Sequence, residues 1–196
     1  MSRYLGFLSY LGTAYSGYQI QNGQKTIQGV LEDRLSVLLK EKIKTKGSSR
    51  TDTGVHALNN AFHFDFEGDI PEDFLKRMNA LLPEDVSFLG LHKVSDELHA
   101  RFSATERSYV YKVYCEKNPF YNGRAYRLLG FTPDVEKMNK AAELLLKYED
   151  FVCFSKANSG VKTTLCDIKY AKWDCINEPE FHFNIRANRF LRGMVR

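Results

Sequence analysis

Phe62-His63-Phe64-Asp65-Phe66 alternates apolar and polar side chains with a period of two. That spacing predicts a half-buried strand with three phenylalanines on one face. His63 falls on the polar side and is expected to be exposed. Just upstream lies Gly47-Ser48-Ser49-Arg50-Thr51-Asp52-Thr53-Gly54, polar and without helical or strand periodicity. It reads as a loop of the kind that carries function. Lys40 to Lys46, with Ile43 among charges, predicts a short strand before that loop. Downstream, Pro71 opens a helix with apolar Phe74, Leu75, Met78, Leu81 and Leu82, and Pro83 closes it.

Tyr4 to Tyr10 reads as a first strand, followed by a loop punctuated by Gly12, Gly17 and Gly23. Thr26 is an expected N-cap, because Ile27, Val30, Leu31, Leu35, Leu38 and Leu39 then recur at helical spacing. Val86 to Val94 is another strand. In Arg107 to Tyr114, Tyr109, Tyr111 and Val113 share one face, and Ser108, Val110, Lys112 and Tyr114 share the other. A helix is expected from Thr132-Pro133 through Tyr148, with Val135, Met138, Ala142 and Leu145 inward. Ile168 to Trp173 and Phe181 to Ala187 are late strands, and Asn188 onward reads as the first turns of a helix. Several strands follow one another with no helix between them. The fold class is therefore α+β with largely antiparallel pairing, rather than a doubly wound parallel sheet.

The chain has 196 residues, enough for one large domain or two small ones. No apolar run approaches the ~20 residues that span a bilayer, and Met1-Ser2-Arg3-Tyr4 begins no signal peptide. A cytoplasmic location without membrane attachment is expected. Cys115, Cys153, Cys166 and Cys175 show no C-x-x-C spacing, which argues against a zinc site or redox motif. They are expected to be reduced and mostly buried. The net charge is only +4, but its placement is uneven. Arg101 to Arg127 holds six Lys/Arg against two Glu, and Phe181 to Arg196 holds four Arg and no acid. Basic stretches interleaved with aromatics suit a polyanion, although a solvated strand surface has the same composition.

Asp52 is the residue in the polar loop best fitted to chemistry. A carboxylate is ionised at neutral pH and needs no general base to act as a nucleophile. Arg50 can bridge to it or reach a phosphate, and Gly54 permits close backbone approach. An Asp near a Gly is also a common turn former. On spacing alone both readings stand.

A wider pattern separates them. Ser49-Arg50-Thr51-Asp52-Thr53-Gly54-Val55-His56-Ala57 resembles the signature loop of the TruA-type tRNA pseudouridine synthases, in which this aspartate is the nucleophile. Four further blocks resemble the same family, in the same order. They are Tyr10-x-Gly12-Thr13-x-Tyr15-x-Gly17-Tyr18-Gln19-x-Gln21 with Thr26-Ile27-Gln28; Asn79-x-Leu81-Leu82-Pro83-x-Asp85-Val86; His99-Ala100-Arg101-Phe102-Ser103-Ala104-Thr105 into Arg107-Ser108-Tyr109-Val110-Tyr111; and Asn188-x-Phe190-Leu191-x-x-Met194-Val195-Arg196.

The resemblance implies the pseudouridine-synthase fold, a mixed, largely antiparallel sheet flanked by helices in two related halves. Here the halves are expected at residues 1–98, with the catalytic loop, and 99–196, incomplete relative to the family; a boundary is expected near His99 to Ala104. It implies isomerisation of uridine in the anticodon stem-loop of tRNA, by a homodimer with no metal or other cofactor. It matches Asp52 to the nucleophile and Tyr109 to the tyrosine that stacks on the target base and can also move a proton. Arg196 matches the basic partner of the catalytic carboxylate. Arg50 matches the arginine that takes the space left by the displaced base. Arg101 suits a phosphate contact, with a structural ion pair as its alternative. Tyr111 suits strand packing, and His56 a loop-anchoring hydrogen bond rather than acid–base work. Leu11 stands where the family usually has Asp, Tyr18 where it has Trp, and Ser48-Ser49 where it has Ala-Gly. The family usually continues past the M-V-R motif, so a fragment or truncated product, with a fraying Arg196, is expected. Two rivals are an inactive tRNA-binding module and an aspartate-nucleophile hydrolase. The second would need a phosphate- or metal-binding motif, and the sequence shows none.

Overall fold

A computed structural model describes residues 1–156 and 162–196, in two compact units, 1–104 and 105–196. The first unit runs β1 (Ser2–Tyr10), α1 (Ile27–Leu39), β2 (Lys46–Gly47), β3 (Ala57–Phe66), α2 (Phe74–Leu81) and β4 (Val86–Val94). Its sheet has the order β2-β3-β1-β4, with every neighbouring pair antiparallel. This is the split β-α-β arrangement of ferredoxin-like units.

The apolar periodicities explain the packing. Phe62, Phe64 and Phe66 share a core with Leu8, Phe88, Leu31, Leu35, Phe74 and Met78, so α1 and α2 cover one face of the sheet. Gly6 of β1 is required there, because a Cβ would stand 2.4 Å from the Phe62 ring. Thr26 caps α1 as expected, its hydroxyl accepting the Gly29 N–H at 3.2 Å. The strand expected over Lys40 to Lys46 shrinks to the two residues of β2. Lys40 ends α1 in the left-handed region, at φ 56°. The chain from there is tied to the helix by buried Glu32, which accepts from the Thr45 N–H at 2.8 Å and from Lys44 Nζ at 2.8 Å. α2 begins at Phe74, later than Pro71, which instead closes a turn by accepting the Phe74 N–H at 3.0 Å.

His63 is not exposed; only 2% of its surface is accessible. The period-two reading put it on the face away from the phenylalanines, but that face is covered locally at His63, while Asp65 on the same face stays exposed. His99 and Ala100 lie over His63, and the Ala100 N–H donates to His63 Nδ1 at 3.1 Å. The His99 ring meets the His63 ring edge-on at 4.7 Å. Arg3 secures the same segment by donating to the carbonyls of Asp96 and Leu98 while pairing with Asp65.

The second unit runs β5 (Arg107–Tyr114), β6 (Tyr126–Arg127), α3 (Val135–Leu145), β7 (Ile168–Asn177) and β8 (Glu180–Ala187), in the strand order β6-β5-β8-β7. β5–β8 and β7–β8 are antiparallel, and the short β5–β6 pair is parallel. The sequence β5-α3-β7-β8 with order β7-β8-β5 repeats the topology of β1-α1-β2-β3 with order β2-β3-β1. α3 is shorter than expected, capped by Asp134, whose carboxylate accepts the Lys137 N–H at 3.0 Å. The helix expected from Asn188 onward does not form. The chain there makes successive turns, Met194 N–H to Leu191 O and Arg196 N–H to Gly193 O, and Gly193 sits at φ +75°, outside the helical region. All four cysteines are unpaired, but only Cys166 is buried, contrary to the expectation that most would be.

Burial and the neighbouring His99 and Arg3 charges push the His63 imidazole down to about 4. Its native form is neutral and accepts the Ala100 N–H. An unfolded chain protonates this group near pH 6.5, so stability is complete above that value and falls as the pH drops from 6.5 towards 4. We expect urea midpoints to fall between pH 7 and pH 5 in the native protein. The fall should be smaller in His63→Asn, which keeps an acceptor near the Nδ1 position without a titrating ring. An equal fall in both proteins contradicts this assignment.

Candidate active-site loop and the tyrosine strand

The loop between β2 and β3 is shaped by close backbone approach. The Val55 N–H donates to Asp52 O at 3.1 Å, and Gly54 takes φ +77°. Asp52 thus opens a tight turn whose third residue needs positive φ. The turn former and the candidate nucleophile are the same residue, and its side chain is half-buried.

The segment from Tyr10 to Tyr18 clasps this loop. The Tyr18 N–H donates to Thr51 O at 3.0 Å, and the Gly12 N–H to His56 Nδ1 at 2.9 Å. His56 therefore anchors the loop, as expected. A Cβ at Gly12 would lie 2.1 Å from Val55 O, and one at Gly17 would lie 2.7 Å from Thr51 O. Gly17 also sits at φ +84°. The Tyr10 hydroxyl, at the end of β1, is 2.8 Å from Thr51 Oγ1. Arg50 is exposed and donates to Gln19 Oε1 at 3.2 Å, a fourth tie from the residue just after that segment.

A further block singled out in the sequence braces this clasp through Asp85. Asp85, to which the sequence reading gave no role, accepts the Leu11 N–H through its carbonyl and the Tyr15 hydroxyl through Oδ1 at 2.6 Å. Burial first, then the Asp85 carboxylate, raises the Tyr15 phenol far above its ordinary value. The Asn79 side chain bonds both the N–H and the carbonyl of Phe88, at 2.7 and 2.9 Å, so α2 is stitched to β4. His99 caps its own segment, with Nδ1 accepting from the N–H groups of Arg101 and Phe102 at 3.2 and 3.4 Å. Arg101 is exposed, with its guanidinium 5.5 Å from the Phe102 ring centre.

In the second unit Tyr109 lies in β5 opposite Ile185 of β8, and its ring meets Phe190 edge-on at 5.1 Å. Asn188 holds the approach to Phe190. Its Oδ1 accepts the Asp167 N–H at 2.9 Å, and its carbonyl accepts from Arg107 Nη1 at 2.9 Å. Arg107 therefore has a structural tie in addition to its place in the basic stretch. Arg196 lies near Tyr111. Burial and then Tyr126 raise the Tyr111 phenol, and the positive charge of Arg196 works against them. Asp52, Arg50 and Arg101 thus belong to the first unit, Tyr109 and Arg196 to the second. Among the described residues no group of three or more His, Cys, Asp or Glu is arranged to hold a metal ion. No helix among the described residues is long and apolar enough to cross a membrane.

The family model for tRNA pseudouridine synthase matches residues 7–103, the stretch from β1 to the end of the His99 segment. Proteins named tRNA pseudouridine synthase A match along the whole chain. The one from Bacteroides thetaiotaomicron is 42% identical over 199 residues, covering 100% of this chain and 74% of its own length. That from Bacteroides fragilis is 43% identical over 200 residues and is covered to 78%. That from Lysinibacillus sphaericus is 38% identical over 200 residues and is covered to 81%. The chain belongs to the tRNA pseudouridine synthase A family. The family is one of isomerases acting on tRNA, and the α+β architecture described above is consistent with its fold. In the first unit, the blocks around Tyr10–Gln21, Ser49–Ala57 and Asn79–Val86 supply the residues that clasp and brace the Asp52 loop.

Gly12→Ala places a methyl group where the Val55 carbonyl stands. Overpacking of this kind typically costs about 1–3 kcal/mol. We expect Gly12→Ala to lower stability by about that amount and to abolish activity by displacing the loop. A variant with native melting temperature and native activity contradicts the clasp.

Proposed function

We propose that this chain isomerises uridine to pseudouridine in the anticodon stem-loop of tRNA, with Asp52 as the nucleophile. The observation that carries the reading is the build of the Asp52 turn: a half-buried carboxylate on a backbone held on both flanks by the Tyr10–Tyr18 segment. Preorganisation of this kind lets a nucleophile meet its target without paying for reorganisation at the moment of reaction. The family membership supplies the substrate class.

The reaction breaks the bond between ribose C1′ and uracil N1, turns the base, and forms a bond from C1′ to C5. A stacked uridine must first leave its helix, at a cost of a few kcal/mol. Tyr109 offers the stacking face, worth on the order of 1–3 kcal/mol per base, and its contact with Phe190 sets the plane of the ring. The resemblance matches Arg196 to the basic partner of the catalytic carboxylate, a role in which a cation favours the charged form. Arg50 occupies the space the turning base leaves, and exposed Arg101 contacts phosphate. The active species is a cytoplasmic homodimer. No step calls for a metal or an organic cofactor.

Asp52→Asn preserves the shape of the turn and removes the nucleophilic charge. Tritium release from tRNA labelled at uridine C5 should vanish while tRNA binding persists. Activity within tenfold of the native protein removes Asp52 from the nucleophile role. If Tyr109 acts by stacking alone, Tyr109→Phe retains activity and Tyr109→Leu loses at least tenfold. If its hydroxyl moves a proton, both variants fail. Near-native activity in both reduces Tyr109 to strand packing.

A further inference from the structure

One buried polar chain in the first unit leads from the sheet into the candidate loop. Asn60 stands in β3 with 5% of its surface accessible, and Tyr10 ends β1 with 4%. Asn60 Nδ2 donates to the Tyr10 hydroxyl at 3.3 Å, and that hydroxyl is 2.8 Å from Thr51 Oγ1. Thr51 immediately precedes Asp52. An amide and a phenol are not buried together among aromatic side chains without cost unless they are bonded. What the polar pair adds is a directed contact to one hydroxyl in the loop.

We propose that Tyr10 and Asn60 are positioning residues that set the aim of Asp52 through the Thr51 hydroxyl. This rests on the pseudouridine-synthase reading of Asp52. Threonine is the residue type that makes such a tether effective. Its branched Cβ leaves χ1 stiff, so a bond to Oγ1 fixes the peptide as well as the side chain. The Thr51 carbonyl is fixed independently by the Tyr18 N–H at 3.0 Å. On the far side of Asp52 the turn is closed by the Val55 N–H to Asp52 O bond. The Asp52 Cα is therefore clamped from both neighbours, and only its side-chain torsions remain to be set by substrate. The register shift in the β1–β3 pairing, between Leu8 and Tyr10, brings the end of β1 opposite Ala57 beside the loop's exit. Displacing a reacting group by about 1 Å can cost on the order of a hundredfold in rate.

The test uses the full chain and single-turnover tritium release from C5-labelled tRNA, with tRNA affinity measured separately. Tyr10→Phe keeps the buried ring, and Thr51→Val keeps the shape of threonine. Each should slow the saturated rate by about 10- to 100-fold while the Kd for tRNA stays within twofold. Thr51→Ser retains the hydroxyl and should keep most of the rate. The double variant Tyr10→Phe/Thr51→Val should be no slower than the worse single variant, because both remove one contact. A native saturated rate in Tyr10→Phe, a loss confined to Kd, or losses that multiply in the double variant each overturn the proposal. If the native chain releases no tritium from any tRNA, the functional reading fails by itself. Positioning is then judged by hydrogen exchange at the Val55 amide. Exchange there should accelerate about tenfold in Tyr10→Phe and in Thr51→Val but not in Thr51→Ser; unchanged exchange in the first two overturns it.

Discussion

The close approach of the Tyr10–Tyr18 segment to the backbone at Thr51–Val55 is the constraint on which the rest of the first unit depends. Two glycines make it possible. Gly12 lies where any side chain would meet the Val55 carbonyl, and Gly17 has both a positive φ and the Thr51 carbonyl beside it. Backbone groups brought this close must be paired, because an unpaired buried amide or carbonyl is costly. They are paired: Tyr18 with Thr51, Gly12 with His56, Leu11 with Asp85. A loop that would otherwise sample many conformations is thereby tied down on both flanks of Asp52.

That arrangement divides labour between side chains near the loop. Tyr10, Tyr15, Asn60, His56 and Asp85 are spent on holding it. Arg50 is exposed and Asp52 half-buried. A nucleophilic carboxylate gains from such rigidity, since it has no proton to lose and needs only aim. The same logic explains why histidine can be used here as scaffold. His56 and His63 both accept backbone N–H groups through Nδ1, work that the neutral ring does well and the protonated ring cannot do.

The two units share a connection pattern. β1-α1-β2-β3 and β5-α3-β7-β8 place the first strand beside the third and the third beside the second. The first unit adds α2 and β4 on the free side of β1, whereas only the two residues of β6 pair with β5 on the corresponding side. Tyr109 lies in that strand, with Phe190 from the segment after β8 packed against it. In each unit, then, the central strand that begins the repeat also leads to a candidate functional group: β1 ends in Tyr10, and β5 carries Tyr109.

Element type was legible wherever a period ran unbroken. Phe62, Phe64 and Phe66 declared a strand, Ile27 to Leu39 a helix with Thr26 as its cap, and both were borne out. The α+β class followed from strands that succeed one another without helices. The ordered motifs pointed to the family, and the comparisons agree. What one period cannot reveal is whether the second face of a strand is covered. His63 lies on the face its period assigns and is nonetheless buried, because His99 and Ala100, more than thirty positions away, cover it. Ile43 looked like the centre of a strand, but buried Glu32 and the left-handed Lys40 hold that stretch as an irregular connection. The helix expected after Asn188 gave way to turns at Gly193, where positive φ is incompatible with helix. Asn60, Tyr10 and Asp85 acquire their roles only through partners 41 to 74 residues distant in the chain. Local sequence determines which backbone conformations are cheap. Only the folded chain decides which buried polar groups find each other, because that depends on contacts between segments that no local pattern encodes.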